Sequence, residues 1–198
     1  MKKMLMLLSL LSLPAMAAEG KLEDGKYNID PAHSRVSFEI DHFVISSVEG
    51  RFNDVKGTVE ISRDLKKCNV NVTIPVASLD TAVQKRDEHL RSADFFDAKK
   101  FPNMTFKSKK CSGSLEDLKV TGDLTIKGVT KEVVMEAEYE GSVKDSWGNQ
   151  RAAFTADFDI KRKDFNITYD DKIDIGPTVG DKVEVEIITE LILEKPKK

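Results

Sequence analysis

Alternation constrains this chain more than any other feature. In Val183-Glu184-Val185-Glu186-Ile187 apolar and charged residues take turns, and because successive side chains of a strand point to opposite faces, one face is dry and the other wet. The pattern recurs in Val36-Phe38-Ile40, Val59-Ile61, Val70-Val72-Ile74-Val76, Met104-Phe106, Leu124-Ile126, Val133-Met135-Ala137-Tyr139 and Phe154-Ala156-Phe158-Ile160. These runs predict a lead-in strand at 27–30 and eight strands near 34–42, 50–62, 68–77, 101–109, 118–127, 131–140, 151–160 and 182–193. An even number of antiparallel strands lets the first meet the last, which closes the sheet and removes its edges. The expected fold is all-β, a closed eight-stranded antiparallel barrel with one helix, at about 80–93, between two strands.

The N-terminus follows different rules. Lys2 and Lys3, the apolar run Met4 to Leu13, and Pro14-Ala15-Met16-Ala17 match the charged, apolar and small-residue regions of a secretory signal peptide. Residues 1–17 are therefore expected to be a leader cleaved near Ala17/Ala18, with 18–198 as one domain. The apolar run is too short to span a membrane, and no cysteine lies beside the cleavage point to carry a lipid. A two-lysine start before a compact apolar run suggests a Gram-negative periplasm, with full secretion as the alternative.

Without Lys2 and Lys3 the chain has 29 basic against 34 acidic residues, a formal charge near −5. That balance disfavours nucleic acid and anionic membrane surfaces as partners. No linker, low-complexity tract or fixed-period repeat divides the domain.

Cys68 opens one predicted strand and Cys111 closes another, so antiparallel pairing brings both to one barrel end, in a compartment where disulfides persist. Parity opposes a bridge. Cys68 shares the inward phase of Val70, whereas Cys111 is out of phase with Met104 and Phe106 unless a bulge intervenes. Bridged and free thiols both remain open on this reading.

Between Ser78 and Lys100 the alternation lapses. Asp80 or Thr81 is placed to cap a helix, and the cluster Arg86, Asp87, Glu88, His89 and Arg91 reads as solvated or self-paired. The helix should lie across one barrel mouth, with Phe95, Phe96, Phe101 and Phe106 as a plug beneath it. A second irregular stretch, Lys161 to Asp181, should form a turn or short helix over an opening.

Chemistry is sparse. The chain has no Gly-x-Ser-x-Gly, no phosphate-cradling glycine loop and no Cys-x-x-Cys. His33, His42 and His89 lack a ligand spacing such as His-x-x-x-His, so neither metal nor cofactor is expected. His42 continues the inward phase of Phe38 and Ile40, placing a polar tip at the end of the lined interior, either to orient a headgroup or as a rim histidine. No inward carboxylate is expected beside it. Small residues at Ala137, Ala156 and Ala152 or its neighbour leave room where a filled barrel would want bulk. The expected ligand contacts are Phe38, Ile40, His42, Val72, Ile74, Phe106, Leu124, Met135, Ala137, Phe154, Ala156 and Phe158. Strands of about ten residues span roughly 33 Å, long enough for a tail.

Several blocks carry a family resemblance. Asp30-Pro31-Ala32-His33-Ser34-x-Val36-x-Phe38 with His42, Gly50-Arg51-Phe52, Arg86-Asp87-Glu88-His89-Leu90-Arg91-Ser92-x-Asp94-Phe95-Phe96-Asp97 with Phe101-Pro102, Gly122-x-Leu124-Thr125-Ile126-Lys127-Gly128-Val129-Thr130, and Val179-Gly180-Asp181 resemble the YceI-like family over essentially the whole mature chain. The resemblance implies a lipocalin-like barrel, exported to the periplasm, that binds polyisoprenoid or similar long amphiphiles such as an isoprenoid quinone or fatty-acid-like lipid, without established catalysis. Two positions depart from the pattern: Asp41 stands where a basic residue is frequent, and Asn166 where glycine is. The leading expectation is a non-enzymatic carrier, with a homodimer compatible and no stable membrane insertion. The alternatives are an enzyme acting on isoprenoid lipids with His42 as base, and a surface-acting stress or redox module using Cys68 and Cys111.

Overall fold

A computed structural model of the protein describes residues 20–173 and 176–195. The expected leader at 1–17 lies outside them. Alternation becomes strand where it was read, except at Val76, which opens a 3₁₀ turn (Val76–Ser78), and the ladder is more interrupted. The first barrel staves are β1 (Gly25–Ile29), β2 (Arg35–His42), β3 (Ser46–Phe52) and β4 (Lys56–Ile61). After them come β5 (Cys68–Pro75), the two-residue β6 (Leu79–Asp80), α1 (Gln84–Arg91), β7 (Asn103–Gly113), β8 (Leu118–Ile126), β9 (Val129–Lys144) and β10 (Gln150–Lys161). A two-stranded flap, β11 (Lys172–Ile173) with β12 (Gly176–Pro177), precedes β13 (Val179–Leu193).

The hydrogen-bonded order β1-β4-β5-β7-β8-β9-β10-β13 returns to β1 through Tyr27 opposite Leu193, so eight antiparallel strands close a barrel. β2 and β3 extend this ring. β1 pairs with the end of β13 (Ile29 opposite Leu191) and β2 with its start (Val183 opposite Ile40), so β1 and β2 are one stave broken at 30–34. β4 and β3 pair with them in the same way, Val59 opposite Tyr27 and Phe52 opposite Val36. The single strand expected at 50–62 is thus two strands, beginning at Ser46 and broken at 53–55, where Val55 turns into the core.

One end is closed. Leu22, Tyr27, Ile61 and Leu191 are each no more than 2% exposed there. Tyr27 Oη donates to the Glu23 carbonyl at 2.6 Å and Tyr139 Oη to the Gly20 carbonyl at 2.8 Å, tying the entering chain across this floor. Burial, then the negative charge of Glu23, pushes the Tyr27 phenol up to about 12, so it stays a donor.

The other end carries α1, and the helix differs from expectation in extent and in what holds it. It runs Gln84–Arg91 rather than 80–93, and neither Asp80 nor Thr81 caps it, for the N-cap is Val83 with no side-chain bond. Asp87 instead turns back and is buried, its Oδ1 accepting from the Thr81 amide at 2.9 Å and hydroxyl at 2.6 Å. Arg86 donates to the Thr81 hydroxyl and carbonyl, both at 2.8 Å, and Arg91 to the Leu79 carbonyl at 2.9 Å. Three members of the charged cluster read as solvated therefore anchor the helix to the chain entering it. So short and polar a helix would be marginal alone, and these bonds supply what its sequence does not.

Candidate functional site

Inside the barrel lies a cavity of about 490 Å³, within the roughly 300–1,000 Å³ range of ligand pockets. All twelve residues expected as ligand contacts line it. Phe38, Ile40 and His42 enter from β2, Val72 and Ile74 from β5, and Phe106 from β7. Leu124 enters from β8, Met135 and Ala137 from β9, and Phe154, Ala156 and Phe158 from β10. Ala152 does not join them. It sits opposite Ser142 and Leu191, 1% exposed, in the packing near the floor.

The cysteines meet at the inner wall. Cys68 and Cys111 form a disulfide with Cα atoms 6.0 Å apart, and Cys68 lines the cavity. A bulge resolves the parity conflict. Ser108 pairs with Gly122 and Lys110 with Thr121, leaving Lys109 as an extra residue, so Cys111 arrives opposite the buried Val120. Lys109 points outward to Asp123 at 2.6 Å and Glu132 at 3.2 Å. The Ser108 hydroxyl bridges the interrupted ladder, accepting from the Val70 amide at 2.8 Å and donating to the Cys68 carbonyl at 3.3 Å.

The mouth has an aromatic lid. Phe95 and Phe96, expected as a plug, line the cavity from above, and so do His89 and Leu90 of α1. Phe95, His89 and Tyr169 stack as a trio with ring centroids 4.9–5.1 Å apart. Phe96 meets Phe52 edge-on at 5.9 Å. Phe101 lies instead against Gly128, where a Cβ would come within 2.6 Å of its ring. That glycine also has φ +75 in the β8–β9 turn, a backbone that favours glycine.

Within the described part of the stretch 161–181, Arg162, Phe165, Ile167, Tyr169, Asp171 and Thr178 line the cavity, the chain passing through a 3₁₀ turn at Arg162–Phe165. Asn166 ends that turn with φ 57 and ψ 28, a left-handed conformation that asparagine tolerates better than most residues. Arg162, 3% exposed, donates to the carbonyls of Gly180 (2.6 Å), Ile167 (2.9 Å), Tyr169 (2.6 Å) and Val179 (3.0 Å). Two of these acceptors lie where the β2–β13 register slips between Val179 and Val183, so the guanidinium replaces lost ladder bonds. Burial pulls its pKa below the ordinary arginine value, against the attraction of Asp170 and Asp181.

Sequence reading missed several rim residues. Asp41 and Asp171 both reach the cavity lining, so the expectation of no carboxylate near His42 fails at the mouth, where the strand ends and strict alternation no longer governs direction. Arg162, Tyr169 and Thr178 were hidden in a stretch without periodicity. The one signal for them was its position over an opening.

His33 does not approach the cavity. Its Nδ1 lies 3.0 Å from Asp30 Oδ2, and Asp30, His33 and Glu190 are the one group with metal-ligating geometry among the described residues. Arg151 already fills that group, its Nη1 donating to Asp30 at 2.8 Å and to Glu190, and its Nε to Asp145 at 2.8 Å. Burial raises the Asp30 carboxyl, but hydrogen bonds from Arg151 and then His33 outweigh it and hold the group below 3.8. The cluster ties the break between β1 and β2 to β10, β13 and the β9–β10 turn.

Comparison with known proteins accords with this architecture. Residues 27–191 match the family described as the YceI-like domain. Protein YceI of Escherichia coli O17:K52:H18 is 41% identical over 196 residues, 98% of this chain and 100% of that protein. Burkholderia cenocepacia BcnA superposes with a TM-score of 0.71 at 27% identity, covering 82% of this chain and 98% of that one. A structure described as a polyisoprenoid binding domain from Saccharophagus degradans, implicated in plant cell wall breakdown, shares the fold with a TM-score of 0.67 at 14% identity, over 85% and 98% of the two chains. No helix among the described residues is long and apolar enough to cross a membrane.

Proposed function

The chain belongs to the YceI-like family, and from that premise we propose that it is a non-enzymatic periplasmic carrier holding one long apolar amphiphile, a polyisoprenoid or related lipid, inside the barrel. One observation carries this reading: the cavity walls are built mostly from Val, Ile, Leu, Met, Phe and two facing alanines, with a few threonines, while its charged groups sit at one end. Burial supplies the affinity. Each methylene removed from water contributes about 0.8 kcal/mol before ordering costs, so a tail binds with few polar contacts. The description of the Saccharophagus domain as polyisoprenoid binding supports the ligand class at the level of fold.

Catalysis has little support. His42 has no side-chain hydrogen-bond partner among the described residues, and His89 pairs at 3.0 Å with Asp94, outside the lining. General acid–base chemistry needs a titratable group and usually an oriented partner within hydrogen-bond reach of the reacting atom.

Native mass spectrometry of protein purified from exporting cells, followed by organic extraction, tests the proposal. The expected result is a bound mass that solvent removes and that contains a long apolar chain, on a polypeptide beginning near Ala18. Absence of any extractable amphiphile, together with failure to take up prenyl lipids added in vitro, rejects the carrier; an intact Met1 in the soluble fraction rejects export.

A further inference from the structure

The turn between β2 and β3 carries side chains that its backbone does not favour. The Ile45 amide donates to the His42 carbonyl at 3.3 Å, and the two residues between them, Phe43 and Val44, have positive φ, 52 and 62. Two successive left-handed residues ordinarily call for Asn-Gly or Asp-Gly, because a β-branched side chain is strained there. This chain has Phe43-Val44-Ile45 instead, with Val44 and Ile45 63% and 81% exposed. Neither lines the cavity or packs on the core, so the fold itself gives no reason for them. Strain that the fold does not need is a sign of a use outside the chain.

The place of the turn narrows that use. One barrel end is closed, and the turn stands at the other, where Phe43 lines the cavity and donates its amide to the Thr178 carbonyl at 3.0 Å. Apolar side chains thus continue from the exposed Val44 and Ile45 to Phe43 and to the cross-strand pair Ile40 and Val48 of the lining. Residues 42–48 include no Asp, Glu, Lys or Arg, in a chain of which these make up 33%, so no charge there resists leaving water. A second copy of the chain is a poor occupant: two turn residues expose far less than the roughly 800 Å² each partner contributes to a stable interface. A bilayer accepts an apolar tip without any complementary surface.

Resting on the lipid-carrier reading, we propose that the β2–β3 turn is a membrane-docking tip, in which Val44 and Ile45 enter the interface of a lipid bilayer and hold the barrel mouth against it. Docking is apolar rather than electrostatic, so it needs neither anionic lipid nor low salt. Trp147 supplies an internal contrast. It is 78% exposed, but in the β9–β10 turn on the floor side, where Ala152 pairs with Leu191.

Delipidated mature protein is floated with vesicles of phosphatidylcholine, with and without phosphatidylglycerol. Wild type should float with both, and still do so in about 1 M salt, where the screening length is about 3 Å. The double variant Val44→Asn, Ile45→Ser should partition at least about tenfold less and take prenyl lipid from vesicles correspondingly more slowly. It should bind a water-soluble fluorescent apolar probe as wild type does and melt no lower, because asparagine suits φ 62 better than valine. Emission from Trp147, the one tryptophan, should not shift when vesicles are added. A variant that floats like wild type, flotation lost in salt, or a blue shift of Trp147 overturns the proposal, as does a wild-type dimer that the variant converts to a monomer. Should the variant fail to fold, the salt series and Trp147 still decide. Wild type that takes prenyl lipid from micelles without floating rejects the tip alone, whereas uptake from neither micelles nor vesicles rejects the carrier reading on which it rests.

Discussion

Ala137 of β9 and Ala156 of β10 lie directly opposite each other in the ladder, both facing the cavity, so its wall is thinnest across one cross-strand pair. Opposed residues in an antiparallel pair have Cβ atoms about 4.5–5.5 Å apart, so a ring at either position would enter the shared space. Ala156→Phe and Ala137→Phe should each lower bound lipid per protein to less than about half, with overpacking strain of about 1–3 kcal/mol. Extraction and quantification of lipid, with circular dichroism as a check on folding, measures this; full occupancy in both folded variants places the ligand elsewhere.

The disulfide offers a second check. Thiol titration of denatured, unreduced protein should find essentially no free thiol. Cys68→Ala with Cys111→Ala should lose about 3–4 kcal/mol in the chain-entropy model for the 43-residue separation. Deleting Lys109, the bulge residue, should make the ladder regular and leave Cys111 opposite Val120, so the bridge should survive and neither thiol should titrate.

Acid should weaken the Arg151 cluster in a defined direction. Asp30 and Asp145 are both held below the ordinary carboxylate value of 3.8. For Asp30 burial opposes the shift and Arg151 overcomes it; for Asp145 the Arg151 hydrogen bond is the largest cause. A carboxyl with a depressed folded pKa contributes stability that is present above its unfolded value and fades as pH falls through the folded one. Wild type should therefore melt several degrees above Arg151→Gln at neutral pH, and the gap should close below about pH 3.8. Melting curves across that range test it, and a gap independent of pH would assign the loss to packing.

His42→Ala should change ligand affinity by no more than about 1–3 kcal/mol, the cost of one buried hydrogen bond. Bound lipid should be recovered chemically unaltered after prolonged incubation with wild type. Mass analysis of the extract decides the matter, since turnover lost with the imidazole would make the protein an enzyme.

Where alternation governs, the sequence was a good guide: the twelve expected lining residues all face one cavity because period two tolerates no ambiguity between faces. Legibility ended where the period was interrupted. Lys109 and the register slip between Val179 and Val183 change which face the following residues occupy, and neither carries a composition cue. Asp87 and Arg162 look like surface charges in sequence; they are buried because backbone groups some residues away lack partners, which is visible only after the chain has folded.

The floor formed by Leu22, Tyr27, Ile61 and Leu191 has a consequence for traffic. On the carrier reading, a vessel corked at its base and lidded by α1 has a single door, so cargo departs along the path by which it arrived. Nothing can be threaded from one face of the barrel to the other, and a donor and an acceptor must take turns at the same rim. For the proposed carrier, exchange would then be a shuttle of discrete visits past the aromatic trio of Phe95, His89 and Tyr169.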